Sequence, residues 1–407
     1  MKNQSQQQRV QEKVEVLEQK VKTFQDSDVY KDWLRTTSKF YNYSLNNTIM
    51  ILTQTSGQAS YVAGFRTWET KFDRHVNAGA KGIQILQPAP YKNKVEVEKI
   101  DADGKVIYKD GIPEMETVEK IIPSYKIGYV FDVADTSGAP LPEIVKMLDS
   151  QVKDFETIKT ALQKISPVPI VYEDFNGMAN GYYSNTLKEI HVKKSMGELQ
   201  QIKTTLHELA HAYMHDDERG TDVAASKQER EIEAESVAFI VCEHLGFDTA
   251  EYSFGYINSW SDNKEIKEMR EKLTQIKDTA GEIINKLDDY FMTLQIEADN
   301  EIAYKNGEGY YLIYRSGDGY HFNVYDTNYH LVHEQRDNRN HVSLLSFRDE
   351  VLAKAGINQE YLSPYNTKYL REQVEMISQM QSECEIISYE KASHSIAEHS
   401  FQKTRIK

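Results

Sequence analysis

Basic charge, cysteine and long apolar runs are all scarce in this chain of 407 residues. Its formal net charge is -15, which excludes a protein that coats nucleic acid over its whole surface. Two cysteines, Cys242 and Cys384, cannot build a disulfide framework, and Cys242, set in an apolar helical run, reads as a buried thiol. No run of 18 apolar residues occurs, so no membrane-spanning helix and no membrane partner is expected. The first residues, Met1 to Gln8, are polar and lack the apolar core of a signal peptide, so cytoplasmic residence is the expectation. What is present is enough for sizeable cores: 40% hydrophobic and 11% aromatic residues, 26 of them tyrosine. The length suggests two or three domains. Charge is unevenly spread. Residues 1–94 carry about +6 and the remainder about -21, so an electrostatic footprint for nucleic acid belongs to the N-terminal quarter.

Histidine is also sparse, at twelve residues, yet two of them fall in Leu206-His207-Glu208-Leu209-Ala210-His211. On a helix, residues four apart lie one turn above the other on one face, where a single tetrahedral Zn2+ can reach both imidazoles. Glu208, between them, is the candidate catalytic residue, a general base for a zinc-activated water. A third protein ligand is needed, with the fourth position left open. Glu231 and Glu235, also four apart in a helix-compatible run, share a face, and either could be the ligand on spacing alone. Glu233 points elsewhere. His215 is four beyond His211 but reads as a loop histidine past the site.

Taken in order, apolar residues at Val10, Val14, Leu17 and Val21 predict a helix over 5–36, followed by helical runs over 46–54 and 68–75. Ile83 to Leu86 reads as a strand. Residues 92–124 read as an inserted, exposed two-stranded ribbon turning at Asp101 to Gly104. A linker over 135–142 leads to a helix over 143–164, a strand at Val168 to Tyr172 and a hairpin of 181–184 with 189–192. Then come the histidine helix, Met196 to Met214, a polar loop over 216–227 that could close over the site, and a second helix over 229–245. A long charged helix over 262–297 reads as a packing or interaction element. A short strand meander over 310–334 and a helix over 346–355 follow, and residues from 360 on read as a mobile polar tail.

The Glu231-x-x-Ala234-Glu235 arrangement resembles the corresponding helix of HtpX-type and ImmA/IrrE-type zinc peptidases. That resemblance makes Glu231 the third metal ligand and Glu235 the support of a ligand histidine. Tyr43-Ser44-Leu45-Asn46-Asn47, Phe65-Arg66-Thr67-Trp68, Gly79-Ala80-Lys81-Gly82-Ile83 and Tyr129-Val130-Phe131-Asp132-Val133 together resemble the N-terminal domain of ArdC-type antirestriction proteins. In that family the domain binds single-stranded DNA and precedes an HExxH domain, the order found here. The resemblance covers about 240 residues. It implies an α+β, multidomain chain: an ArdC-like single-stranded-DNA-binding domain over 1–140 with its insertion at 92–124, and a zincin-like metallopeptidase domain over 141–260. A long helix over 261–298, a small α+β module over 299–358 and a polar tail over 359–407 would follow. The module is similar to accessory units of mobile-element proteins, including those of plasmids.

Single-strand binders combine basic grooves with aromatic platforms. Tyr43, Asn47, Arg66, Trp68, Lys71, Arg74 and Lys81 are the candidate DNA contacts, with duplex DNA as the alternative partner. Three functions share these residues. The first is a single-stranded-DNA-binding antirestriction protein that also hydrolyses a peptide bond in some protein substrate. The second is a DNA-binding protective protein whose zinc is structural or vestigial. The third is an ImmA/IrrE-type regulatory peptidase that cleaves a repressor, against which the N-terminal domain speaks.

Overall fold

In a computed structural model the chain is described over residues 6–101, 105–109, 111–141, 155–216, 226–254, 257, 265–317, 319–338 and 342–381. The single helix expected over 5–36 is two. Helix α1, Gln6–Lys22, runs into a short turn, and α2, Ser27–Phe40, starts afresh because the Asp26 carboxylate accepts the N–H groups of Asp28 and Val29. The break lets Phe24 fold inward against Tyr30 and Trp33, with ring centroids 6.1 and 5.4 Å away. Helix α3, Leu45–Thr55, is capped by Ser44.

Strand β1 (Val62–Gly64), helix α4 (Phe65–Phe72) and strand β2 (Arg74–Val76) follow. Helix α4 starts three residues before the expected 68 because the extended Gly64 precedes it. Strand β3 (Ile83–Pro88) pairs with β8 (Tyr125–Asp132), and β8 also pairs with β1, making an antiparallel sheet of order β1-β8-β3. Two side-chain amides of α3 close the free edge of β3. Asn47 bonds both the N–H and the C=O of Leu86 at 2.8 and 3.1 Å, and Gln54 does the same for Gln84 at 2.9 and 2.9 Å. These residues are seven apart, two helical turns, and so stand over alternate strand positions as a substitute neighbour strand. The insertion is a ribbon of β4 (Tyr91–Glu98) against β7 (Met115–Ile122), with β5 (Tyr108–Lys109) and β6 (Ile112–Pro113) at its far end. Of the expected turn at Asp101 to Gly104, residues 102–104 lie outside the described residues. Strand β9, Thr136–Gly138, pairs with β2.

Helix α5 is Phe155–Ile165; the start expected for it, 143–154, is outside the described residues. Strand β10 (Ile170–Glu173) runs parallel to β12 (Glu189–Lys193), and β11 (Gly181–Ser184) pairs antiparallel with β12 as the sheet's edge. Helix α6, Glu198–Met214, carries the HExxH residues. Helix α7, Lys227–His244, opens with a capping box between Ser226 and Glu229. Helix α8, Ile266–Asp299, buries Met269, Leu273, Ile276, Ala280, Ile283 and Leu287 along one stripe.

One apolar core runs from Leu17 and Trp33 through Leu209 and Phe239 to Ile276 and Leu287. The expected boundary at 140 therefore separates stretches of sequence but not cores. The apolar faces of α1 to α3 need cover, and α7 and α8 supply it, with Tyr30 reaching Ser236 Oγ at 2.8 Å. Helix α8, expected as a packing or interaction element, packs: its apolar stripe is a wall of this core. The C-terminal sheet has the order β16-β15-β14-β13-β17, from β13 (Glu301–Lys305), β14 (Tyr310–Ser316), β15 (Gly319–Tyr325), β16 (Leu331–Asp337) and β17 (Ser363–Tyr365), and α9 (Leu344–Lys354) covers one face. Two of these strands, β13 and β17, were not expected. The boundary expected at 359 falls inside this unit, because β17 pairs with β13 and the helix over 367–381 buries Leu370 against the sheet. Of the expected tail, 382–407 is outside the described residues. Asp73, in the turn between α4 and β2, accepts from Lys305 Nζ, Tyr310 Oη and Tyr365 Oη and joins this unit to the β2–β9 ladder.

Candidate metal centre

Helix α6 buries Ile202, Leu206, Leu209 and Ala210, which turns His207 and His211 toward β11 and α7. Strand β11 can approach because Gly181 has no side chain. A Cβ there would stand 2.6 Å from Thr204 Cγ2, 2.9 Å from the His191 carbonyl oxygen and 3.3 Å from Glu208 Cγ. The close approach brings the Tyr183 backbone N–H to the Glu208 carboxylate.

His207 Nε2 and His211 Nε2 lie 3.2 Å apart, and Glu231 Oε2 is 3.3 and 3.8 Å from them. Three ligands of a tetrahedral ion at bond lengths near 2.0–2.1 Å sit about 3.3 Å from one another. The triangle therefore fits a zinc-sized ion, and among the described residues it is the one such cluster of three. The other ring nitrogens are held from behind. Glu235 Oε2 is 3.2 Å from His207 Nδ1, and His215 Nδ1 is 3.0 Å from His211 Nδ1. His215 in turn meets Glu233 at 2.9 Å, and Glu233 meets Lys272 of α8 at 3.1 Å. His215 is thus not a loop residue past the site: it is buried at the end of α6 beside His211. Glu233 does point away from the triangle, but toward His215. The clue in the sequence was the further four-residue step from His211; nothing local announced Lys272.

Burial disfavours charge on His207, but the carboxylates of Glu231 and Glu235 outweigh it and lift its pKa to about 10. The same imidazoles, His207 and His211, hold Glu231 far below the usual carboxylate range. Burial raises Glu208 and, with Arg230 and Lys272 nearby, lowers His215 to about 4. The centre opens on a cavity of about 760 Å³ lined by β11 residues, Glu208, Lys227 and Arg230. Buried Asp216 takes Tyr183 Oη and, at 2.8 Å, Lys188 Nζ, tying the end of α6 to the β11–β12 hairpin. The expected closing loop lies, over 217–225, outside the described residues.

Four of the seven expected DNA contacts have other work. Trp68 is fully buried and donates to the Phe131 carbonyl at 3.0 Å. Asn47 is spent on the edge of β3. Tyr43, largely buried against Phe40, donates to the Val62 carbonyl at 3.2 Å. Arg74 ties β2 to β9 through Thr136 Oγ1 at 2.8 Å and the carbonyls of Thr136 and Gly138 at 2.9 and 3.3 Å. Arg66, Lys71 and Lys81 are exposed.

Residues 4–131 match the family model of the N-terminal domain of anti-restriction factor ArdC, and residues 163–252 match that of the IrrE N-terminal-like domain, Peptidase_M78. The chain is thus similar to ArdC-type proteins over its first third and to IrrE-like peptidases over the stretch that follows. It is 28% identical over 292 residues to an uncharacterized protein of Bacillus anthracis, covering 64% of this chain and 48% of that protein. It thus spans about half the length of this curated relative. Solved structures of the antirestriction ArdC protein from plasmid R388, metal-free and Mn(II)-bound, are 18% and 16% identical. Their TM-scores are 0.38 and 0.35, and the alignments cover 61% of this chain and 85% and 84% of theirs. The IrrE-like stretch contains every residue of the triangle, together with Glu208, His215, Glu233 and Glu235. Among the described residues no helix is long and apolar enough to cross a membrane.

Proposed function

We propose that this chain is an antirestriction-type protein that binds single-stranded DNA through its N-terminal region and hydrolyses a peptide bond at the His207–His211–Glu231 centre. The observation that carries the hydrolytic reading is the triangle of donors, with edges of 3.2–3.8 Å, beside a buried carboxylate. His207, His211 and Glu231 would hold Zn2+, and Glu235 and His215 would orient the two imidazoles. A cation of this class polarises a carbonyl and acidifies water. Glu208, placed by the Tyr183 N–H and raised by burial, takes the proton of the attacking water and returns it to the leaving amine. The edge of β11 offers backbone groups for an extended peptide, and Gly181 keeps that edge close to Glu208. The ArdC-type match and the exposed cations Arg66, Lys71 and Lys81 support the DNA-binding half.

Glu208→Gln tests the reading. It should abolish cleavage of a mixed peptide library while metal content, measured on the purified protein, stays near one ion per chain. Cleavage that survives the substitution refutes the mechanism. A wild-type protein that binds DNA and metal but cleaves nothing favours a DNA-binding protein with a structural metal.

A further inference from the structure

The register of β3 against β8 sorts their residues onto two faces. Ile83, Ile85 and Val130 turn into the core. Tyr125, Ile127, Tyr129 and Phe131 turn the other way, opposite Pro88, Leu86, Gln84 and, beyond the paired stretch, Gly82. The two ends of this outer face are aromatic and exposed, Tyr125 and Tyr129 each at 52% and Phe65, 6.2 Å from Phe131, at 48%, while between the tyrosines Ile127 is half-buried and Leu86 is buried in the main core. Gly82 is the floor beneath two of the rings. A Cβ there would meet Tyr129 Cδ1 at 2.9 Å and Phe131 Cζ at 3.3 Å. Arg66 and Lys81, both exposed, adjoin Phe65 and Gly82 in sequence.

The row of rings leads into a cavity of about 880 Å³ between the start of α3 and α8, with Tyr125 at one side and Lys267 and Arg270 at the other. Arg270 gives Nη2 to Asn46 Oδ1 at 2.8 Å, while its Nη1 is shielded from bulk solvent and has no hydrogen-bond partner among the described residues. Lys277 in the same wall is neutralised by Asp278 at 2.5 Å. Rings with uncovered faces, followed by a guanidinium with spare donors, match the alternation of bases and phosphates in a single strand. A duplex keeps its base faces stacked and would leave the rings without partners.

We propose that the outer face of β8, from Phe65 and Tyr129 to Tyr125, and the cavity at Arg270 form one track for single-stranded DNA. Bases stack on Tyr129 and Tyr125, and a phosphate sits at Arg270. The track rests on the single-strand-binding reading above. It adds that α8, outside the ArdC-type stretch, supplies part of the site.

The test is fluorescence anisotropy of a labelled oligo-dT on the full-length protein at several salt concentrations, with a matched duplex alongside. Tyr129→Ala and Tyr125→Ala should each weaken oligo-dT binding about 5- to 100-fold without changing the salt slope. Arg270→Gln should lower the slope of log K against log salt by about 0.7. Tyr361→Ala, at an exposed tyrosine far along the chain, should change neither. Unchanged urea midpoints show that the variants fold. If the wild type binds oligo-dT and the tyrosine variants bind equally well, the track is wrong and the single-strand reading stands. Equal affinity for the duplex also overturns the track. If the wild type binds no oligo-dT at low salt, the reading itself fails and the track with it.

Discussion

Replacing Asp73 with Asn removes one negative charge from the joint between the β2–β9 ladder and the C-terminal unit. Asn is the substitution of choice because residue 73 has φ of +49°, a left-handed conformation that Asn and Asp tolerate better than other side chains. The carboxylate receives Lys305 Nζ and the hydroxyls of Tyr310 and Tyr365, and Lys305 is buried. Burial pushes the Lys305 ammonium of the native protein from 10.5 down to about 8, with the Asp73 carboxylate as its ion-pair partner. Without that partner the ammonium is left buried and unpaired, at a cost of about 3 kcal/mol at neutral pH. Solvent at the rim of the joint screens part of this, leaving about 2 kcal/mol. The sign with pH follows. In the native protein the folded pKa of Lys305 lies below the unfolded one, so the unfolded chain holds more protons between pH 8 and 10.5 and stability rises through that window; the variant's folded pKa is lower still, so the loss shrinks as pH rises past 8 and Lys305 turns neutral in both proteins. Urea unfolding followed by near-ultraviolet circular dichroism, which reads the packed ring cluster of Tyr310, Tyr329 and Tyr365, measures the loss. A loss below about 0.5 kcal/mol at pH 7, or one that does not shrink by pH 9.5, would refute the reasoning.

Asn47→Ala should cost about 2 kcal/mol in urea unfolding, because it strands the Leu86 N–H and C=O, and should leave DNA affinity unchanged. Trp68→Ala should destabilise by about 3–5 kcal/mol, since the ring is core and not a stacking platform; a stable variant with selectively lost DNA binding would contradict this. His215→Ala should weaken metal binding about 10- to 100-fold in a competitive chelator titration by freeing His211 Nδ1, while Glu231→Gln should lower metal occupancy more severely. Gly181→Val should push β11 away from Thr204 and Glu208 and cut hydrolysis with the metal retained, read as turnover against metal content.

The pairing of His207 with His211, and of Glu231 with Glu235, was legible in the sequence because helical period alone puts residues four apart on one face. The same local rule placed α3, the ribbon of β4 and β7, and the hairpin of β11 and β12. Local rules stop where one element meets another. Spacing could not choose between Glu231 and Glu235; the packing of α7 on α6 puts Glu231 at both Nε2 atoms and Glu235 behind His207. His215 became part of the site because α8, arriving more than fifty residues later in the chain, brings Lys272 to Glu233. Trp68 and Asn47 looked like surface contacts because aromatic and amide side chains serve cores and edges as readily as ligands. Only the position of Phe131 and the open edge of β3 decided their roles. The sequence by itself determined which side chains could share a face. The tertiary structure decided what each face meets, because burial and hydrogen-bond partners depend on contacts between segments far apart in the chain.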